Sequence, residues 1–390
     1  MAMVRRASGT GGTMAVAKLA SRIEALRLAL YQVPLRTPAG DAKVFTGRQR
    51  ILDRVAVLAA EVVTADEGVG FGFSYALRAG GPAMFAYARE VGSLLLGEDA
   101  ADIERLWDKL VWHGASMGRS GLATQALAAL DIALWDGKAK RAGLSLAKLL
   151  GAHRESVRCY NTSGGYLTTS AEEAVANAQA SLARGVGGIK LKVGHPDAMI
   201  DLARVARARA ALGAGVPLMV DANGQWNRIT ALRLGRRLEE FDLTWIEEPL
   251  DAYDAEGQAT LAAALDTPIS TGEMLTSAAE HARLLELGGA DILQPDAPRV
   301  GGITPFLRVA ALADGRGVPL APHFVMEIHI HLAAAQRLEP WVEHFDWLEP
   351  LFNERLTLRD GRMLVPTAPG LDLTISEEAA TWREADAELR

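Results

Sequence analysis

The sequence predicts an α/β fold, a modified (β/α)7β-type barrel with an α+β capping domain, and three observations lead there. First, short β-branched runs alternate with Ala- and Leu-rich helical stretches from residue 156 onward, the pattern of parallel βα units. Second, seven or so of these units fit within about 180 residues, which favours a closed barrel over an open sheet. Third, no Gly-x-Gly-x-x-Gly follows a strand and opens a helix, which argues against a dinucleotide-binding sheet. The length of 390 residues exceeds what one ordinary core serves, so additions to the barrel are expected.

The elements run as follows. Residues 1–20 contain an arginine pair, but Gly and Thr break any apolar run, so a disordered tail is expected there. Residues 21–155 mix alternating strands with helices and are expected to form the cap. Within them VAVLAAEVVTADEGVGFGFS reads as strand, turn and strand, and Gly121 to Arg141 reads as a strong amphipathic helix. A second helix is expected around LAKLLG. Residues 156–340 are expected to form the barrel, with strands in VRCYNTS, GIKLKVG, PLMVDAN, TWIEEPL, PISTGEM, DILQPDA and PLAPHF. Residues 341–390 return to strands around an Asp-Gly turn and are expected to pack back on the cap.

Composition excludes several classes of function. The net charge is −7, so nothing favours nucleic acid or an acidic membrane. No run of about 18 apolar residues is long enough to span a bilayer. The single cysteine, Cys159, forbids an internal disulfide and fits a reducing, cytoplasmic setting.

Polar residues recur at the C-terminal ends of successive strands. They are Lys190 and Lys192, then Asp221 and Asn223, Glu247 and Glu248, Glu273, Asp296, and His323. From Lys192 through Asp221, Glu247, Glu273 and Asp296 to His323 the steps are 29, 26, 26, 23 and 27 residues, each about one βα unit. Such groups surround one mouth of a barrel, where its active sites lie. A single acidic residue there is usually a helix cap or salt-bridge partner. Three at successive strand ends are different, because Asp221, Glu247 and Glu273 would crowd like charges together and require a cation. Oxygen-only ligands point to Mg²⁺.

Lys190 and Lys192 are two apart, so they share one face of a strand that is buried on both sides. Facing the mouth, they would meet the metal, the carboxylates or an anionic substrate. Their proximity should lower a lysine pKa toward that of a useful base. His323 lies one unit after Asp296, which can orient it as in an Asp–His dyad. His329 and His331 read as packing residues and His195 as solvated. A metal on carboxylates with a lysine on one side and a histidine on the other suits abstraction of a proton α to a carboxylate.

The combined motifs K-x-K, D-x-N, E-E-P, T-G-E, a late Asp and a His resemble the enolase superfamily, mandelate racemase subgroup. The resemblance covers nearly the whole chain. It is closest to the bacterial galactarate and L-talarate dehydratases, through GDAKVFTGRQ, YNTSGG, EEPLDAYD, TGEMLTS, QPDAPRVGGI and EPWVEHFDWLEPLFNE. Two departures, Gly224 and Gly40, stand where that group tends to show Gln and Ser; neither is an expected ligand or base. The resemblance implies that Asp221, Glu247 and Glu273 bind Mg²⁺ and that Lys192 is one base. His323, paired with Asp296, would be the other. Lys190 would help neutralise the substrate carboxylate and depress the pKa of Lys192. Homo-oligomers are expected on the same ground.

A six-carbon diacid needs a cation for its second carboxylate. Lys43, Arg48 and Arg78, in polar N-terminal loops, are candidates, each also readable as a solvated surface charge, and Asp41 beside them is a further candidate substrate contact. Asn223 and Glu343 are further candidate substrate contacts; Glu343 could bond the intermediate or the leaving hydroxyl, or serve structure. The leading expectation is a lyase that removes the C2 proton and the C3 hydroxyl of galactarate or L-talarate to give a 3-deoxy-2-keto diacid, with some C2 epimerisation. The alternatives are a racemase or epimerase, a dehydratase of another acid sugar, and a non-catalytic binding barrel.

Overall fold

The computed structural model describes residues 20–390; the tail expected over residues 1–20 lies outside them apart from Ala20. Strands β1 (Ile23–Ala39), β2 (Leu52–Thr64) and β3 (Val69–Leu77) form an antiparallel meander. Their alternation is doubly used. Leu26, Leu28, Leu30, Leu58 and Val62 face a core shared with the helices Gly81–Gly92 and Ile103–His113. Val33, Val55, Val57, Phe71, Phe73 and Tyr75 face the barrel side. With both faces covered, the strands read as nearly unbroken apolar runs.

The helix Leu122–Arg141 departs from its expected amphipathic character. It is buried on almost every face, because it is wedged between the cap sheet and the barrel helix Ile303–Asp314. Ala128 and Ile132 join the core on the barrel side, Leu127, Leu130 and Leu134 the other. Two glycines of β3 allow this approach. A Cβ on Gly70 would lie 2.1 Å from the Ala133 carbonyl oxygen, and one on Gly72 2.3 Å from that of Ala129.

The barrel begins with β4 (Ser156–Asn161), β5 (Gly188–Lys192), β6 (Leu218–Asp221), β7 (Trp245–Glu247), β8 (Ile269–Thr271) and β9 (Ile292–Leu293), each parallel to the one before. The next run, PLAPHF, forms only a bridge between Leu320 and Leu293. Pro319 and Pro322 have no amide hydrogen to give a ladder. Beyond it, β10 (Trp341–His344) pairs in parallel with β4, and the Trp341 amide donates to the Leu320 carbonyl at 3.1 Å. The ring therefore closes. A helix follows every strand position except the last, the (β/α)7β arrangement.

This closure revises the reading of residues 341–390. β10 sits inside the barrel ring. The hairpin of β11 (Leu358–Arg359) and β12 (Arg362–Leu364) lies antiparallel against β4. Its Asp360-Gly361 turn has φ of 50° and 78°, as a tight hairpin requires. β13 (Arg383–Leu389) returns to the cap sheet on the open edge of β1, and Phe352 packs on Phe71 and Phe73 of β3. Among the described residues no helix is long and apolar enough to cross a membrane. Cys159 is buried, and burial pushes its thiol up to about 11.

Candidate active site

Parallel register brings the charges to one level. Lys192 pairs directly with Asp221, and Asp221 with Glu247, across β5, β6 and β7. Glu273, Asp296 and His323 follow the ends of the next strand positions. The chain turns sharply just past this level: Asn223, Glu248 and Phe324 have φ of 46°, 38° and 59°, left-handed conformations that cost energy away from glycine. The turns leave the side chains of Asp221, Glu247 and His323 at the strand ends.

Asp221, Glu247 and Glu273 are all buried, and each offers an oxygen within 4.8 Å of the others. A set of three carboxylates without Cys or His fits a hard divalent cation such as Mg²⁺. Asn223 steadies the set, its amide donating to Asp221 Oδ1 at 2.8 Å and its side chain to Oδ2 at 3.2 Å. Trp245 Nε1 and Gln294 Nε2 donate to Glu247 Oε2 at 3.0 and 2.7 Å.

The two lysines divide in depth. Lys192 bonds to Asp221 Oδ2 and lines a cavity of about 1340 Å³. Lys190 is 1% exposed and lies beneath that cavity wall. Its ammonium bonds to Glu247 Oε1 and lies 3.0 Å from Glu343 Oε1 and 3.9 Å from Asp221 Oδ2. The Tyr160 ring sits 5.1 Å below it. The expected lowering of the lysine pKa values is not what this environment produces. Burial and the neighbouring Lys190 do pull Lys192 down, but Asp221, with Glu273 and Glu247, outweighs them and holds it above the usual lysine range. For Lys190, burial is likewise overcome, here by Glu247 and Glu343. Burial would raise Asp221, yet Lys192 and Lys190 bring it to about 2.

His323 faces the same cavity. Its Nδ1 is 2.8 Å from Asp296 Oδ2 and its Nε2 3.5 Å from Glu273 Oε2. Asp296 stays below the usual carboxylate range: burial works against this, but the hydrogen bond from His323 prevails. Glu343 also lines the cavity. It accepts from Thr162 Oγ1 at 2.5 Å and from the Phe324 amide at 2.8 Å, so it anchors the turn just after His323. Burial would raise it, but Lys190 lowers it to about 2.

The cap forms the opposite wall. Asp41, Lys43, Arg48 and Arg78 all line the cavity, brought there by the loops after β1 and β3. Asp41 accepts the Lys43 and Val44 amides at 2.9 and 3.2 Å. Arg78 reaches Asp41 Oδ2 at 3.4 Å and donates to the Arg50 carbonyl at 2.8 Å. His329 and His331 are buried packing residues that accept backbone amides from Ala297 and Ala147.

Two neighbours of His323 escaped the sequence reading. Tyr75, from β3 of the cap, donates its hydroxyl to Asp296 Oδ2 at 2.6 Å. Arg299 donates Nε to the Tyr75 oxygen at 3.0 Å and Nη1 to the Glu273 carbonyl at 2.9 Å. Arg299 lies in the QPDAPRV run three residues after Asp296, a spacing that could have marked it. No local signal distinguishes Tyr75 from the apolar residues alternating with it.

Comparison with known proteins follows the same division. Residues 53–151 match the mandelate racemase / muconate lactonizing enzyme N-terminal domain, and residues 173–379 match the enolase C-terminal domain-like family. The chain is 57% identical to L-talarate/galactarate dehydratase of Salmonella typhimurium over 97% of this chain and 95% of that one. A crystal structure of that Salmonella enzyme with Mg and L-lyxarohydroxamate superposes with a TM-score of 0.94 at 56% identity, covering 99% of this chain and 98% of that one. L-talarate dehydratase from Polaromonas sp. JS666, complexed with Mg and L-glucarate, gives 0.92 at 62% identity, covering 94% and 99%. With both domains matched and near-complete coverage at such identity, this chain belongs to the mandelate racemase / muconate lactonizing enzyme family of the enolase superfamily.

Proposed function

We propose that this protein is a Mg²⁺-dependent acid-sugar dehydratase that acts on galactarate and L-talarate. The observation that carries the reading is that Lys192 and His323, the latter paired with the buried Asp296, line one cavity beside the three carboxylates. The similarity to L-talarate/galactarate dehydratase supplies the substrate class.

Asp221, Glu247 and Glu273 would hold the ion. Bound there, it supplies positive charge to the substrate carboxylate and takes up carboxylate charge that otherwise keeps Lys192 protonated. Lys192 or His323 removes the C2 proton, according to which face of C2 carries it. The electrons of the C2–H bond form the C2–C3 double bond as the C3–O bond breaks. His323 delivers the proton that lets the hydroxyl leave as water, Asp296 holding its ring. The enol product then tautomerises to a 3-deoxy-2-keto diacid. Lys190, covered and paired with Glu247 and Glu343, would act through charge and not by touching substrate. Lys43 and Arg78 would meet the distal carboxylate, with Asp41 orienting Arg78. Asn223 and Glu343 complete the lining near C1.

A reading as an epimerase rests on the same pair of bases, since a proton taken by one can be replaced from the other. Incubation with galactarate or L-talarate and Mg²⁺, with detection of a 2-keto acid, separates the two. Exchange of the C2 hydrogen in D₂O without a keto product would overturn dehydration. We further propose a cytoplasmic homo-oligomer, the compartment being supported by the lone buried cysteine. Light scattering measures the assembly.

A further inference from the structure

We infer that Tyr75, a residue of the cap, is a positioning residue for the His323–Asp296 pair, so that the barrel's histidine is held ready only with the cap sheet in place. The inference rests on the reading of His323 as an acid–base group.

The hydrogen bonds form a directed chain. Arg299 Nε donates to the Tyr75 oxygen at 3.0 Å, and the Tyr75 hydroxyl donates to Asp296 Oδ2 at 2.6 Å. The same Oδ2 lies 2.8 Å from His323 Nδ1. The other carboxylate oxygen, Oδ1, accepts the Arg299 amide at 3.0 Å. With both oxygens engaged, the Asp296 carboxylate cannot rotate without breaking bonds to two domains. Its orientation sets that of the imidazole, and with it where Nε2 points into the cavity.

Tyr75 suits this task in its own packing. It is fully buried, with the Phe324 ring edge-on at 4.8 Å and 82°. The Arg299 guanidinium lies 5.7 Å over its own ring. Burial keeps the phenol well above its ordinary pKa, ahead of the opposing influence of Arg299. The group therefore remains a hydroxyl, able to donate. Its oxygen is also 3.4 Å from His323 Nδ1, so its loss would leave that nitrogen a single partner. A purely structural tyrosine would need only the ring, which Phe supplies.

Tyr75→Phe tests the idea, because it keeps the ring and removes the hydroxyl. With galactarate or L-talarate and Mg²⁺, kcat is expected to fall about tenfold with KM within roughly twofold, the scale of lost outer-shell support. Turnover equal to the native enzyme would overturn the inference. The second readout is the downfield proton of His323 Nδ1–H in the NMR spectrum, assigned by its disappearance in His323→Asn. A shift of that resonance in Tyr75→Phe supports the inference; an unchanged resonance overturns it. If the native protein turns over neither substrate, the proposed function fails, and the resonance still decides the role of Tyr75. Should Tyr75→Phe not fold, Arg299→Lys removes the Nε bond to the same hydroxyl and is judged by the same resonance.

Discussion

Lys192 and Asp221 are register partners on adjacent parallel strands, and the ammonium of one bonds to the carboxylate of the other. A cation binding at Asp221 must therefore compete with Lys192. Lys192→Met is expected to tighten Mg²⁺ binding by at least about tenfold, since unit charges about 4 Å apart repel by about 1 kcal/mol even in water and by more inside a protein. Isothermal titration calorimetry on metal-stripped protein gives the constant; weaker binding would show that the two do not compete.

Lys190 neutralises a cluster of buried carboxylates. Lys190→Met leaves Glu247 and Glu343 without their ammonium partner. Removing one partner of a buried ion pair costs about 3–5 kcal/mol. That loss is expected in chelator, and excess Mg²⁺ should recover part of it through Glu247. Urea unfolding in both conditions measures the difference; equal losses would separate Lys190 from the metal site.

The two bases predict stereochemical asymmetry. Lys192→Ala should lose at least about a hundredfold in kcat on the hexarate whose C2 proton it faces, the range for a general base, and less on the C2 epimer. His323→Ala should abolish dehydration of both, since it also delivers the proton to the leaving hydroxyl. Full turnover by His323→Ala on either substrate would remove it from the mechanism.

Arg78 is held by Asp41 and the Arg50 carbonyl at the cavity's cap side. Arg78→Ala is expected to raise KM for galactarate roughly tenfold, equivalent to about 1.5 kcal/mol for a charged hydrogen bond. A hexonate, which lacks the second carboxylate, should show no such change. Steady-state kinetics with the two substrates distinguishes a distal carboxylate contact from a general loss of cap structure.

Glu327, in the helix Met326–Ala334, has both carboxylate oxygens buried without a hydrogen-bond partner. Burial pushes it from 4.5 up to about 8. The folded protein thus keeps a proton that the unfolded chain releases at lower pH. The resulting stability is complete below the unfolded pKa and is lost as pH rises through the folded one. Glu327→Gln removes this dependence, so between about pH 5 and pH 9 the native unfolding midpoint should fall relative to the variant. Parallel midpoint curves would contradict the assignment.

Most of the site could be read from sequence because barrel strands repeat regularly and their parallel pairing is in step. Spacings near one βα unit placed Lys192, Asp221 and Glu247 side by side, and the register agrees. What spacing cannot carry is depth and sign. Lys190 and Lys192 share a face, yet one lies under the cavity and the other on its wall, and both are governed by carboxylates from other strands more than by each other. Tyr75 was invisible because its partner Asp296 is 221 residues away in another domain. β10 fell within the segment expected to return to the cap, because a strand pattern shows that Trp341–His344 is extended but not which sheet it joins. The Leu122–Arg141 helix misled in another way, since alanine fits equally well on a face toward water and on one toward another layer.

That helix has a mechanical consequence. Gly70 and Gly72 press the cap sheet against its backbone, while its Asp131 grips the start of the Ile303–Asp314 barrel helix, accepting the Thr304 amide at 2.9 Å and its hydroxyl at 2.6 Å. The helix thereby ties the cap sheet to the barrel helix through buried contacts, a clasp between the two domains. The exposed Arg48–Ile51 stretch lines the active-site cavity from a loop outside that clasp. Substitutions enlarging either glycine would force the cap sheet off the helix without touching that loop directly.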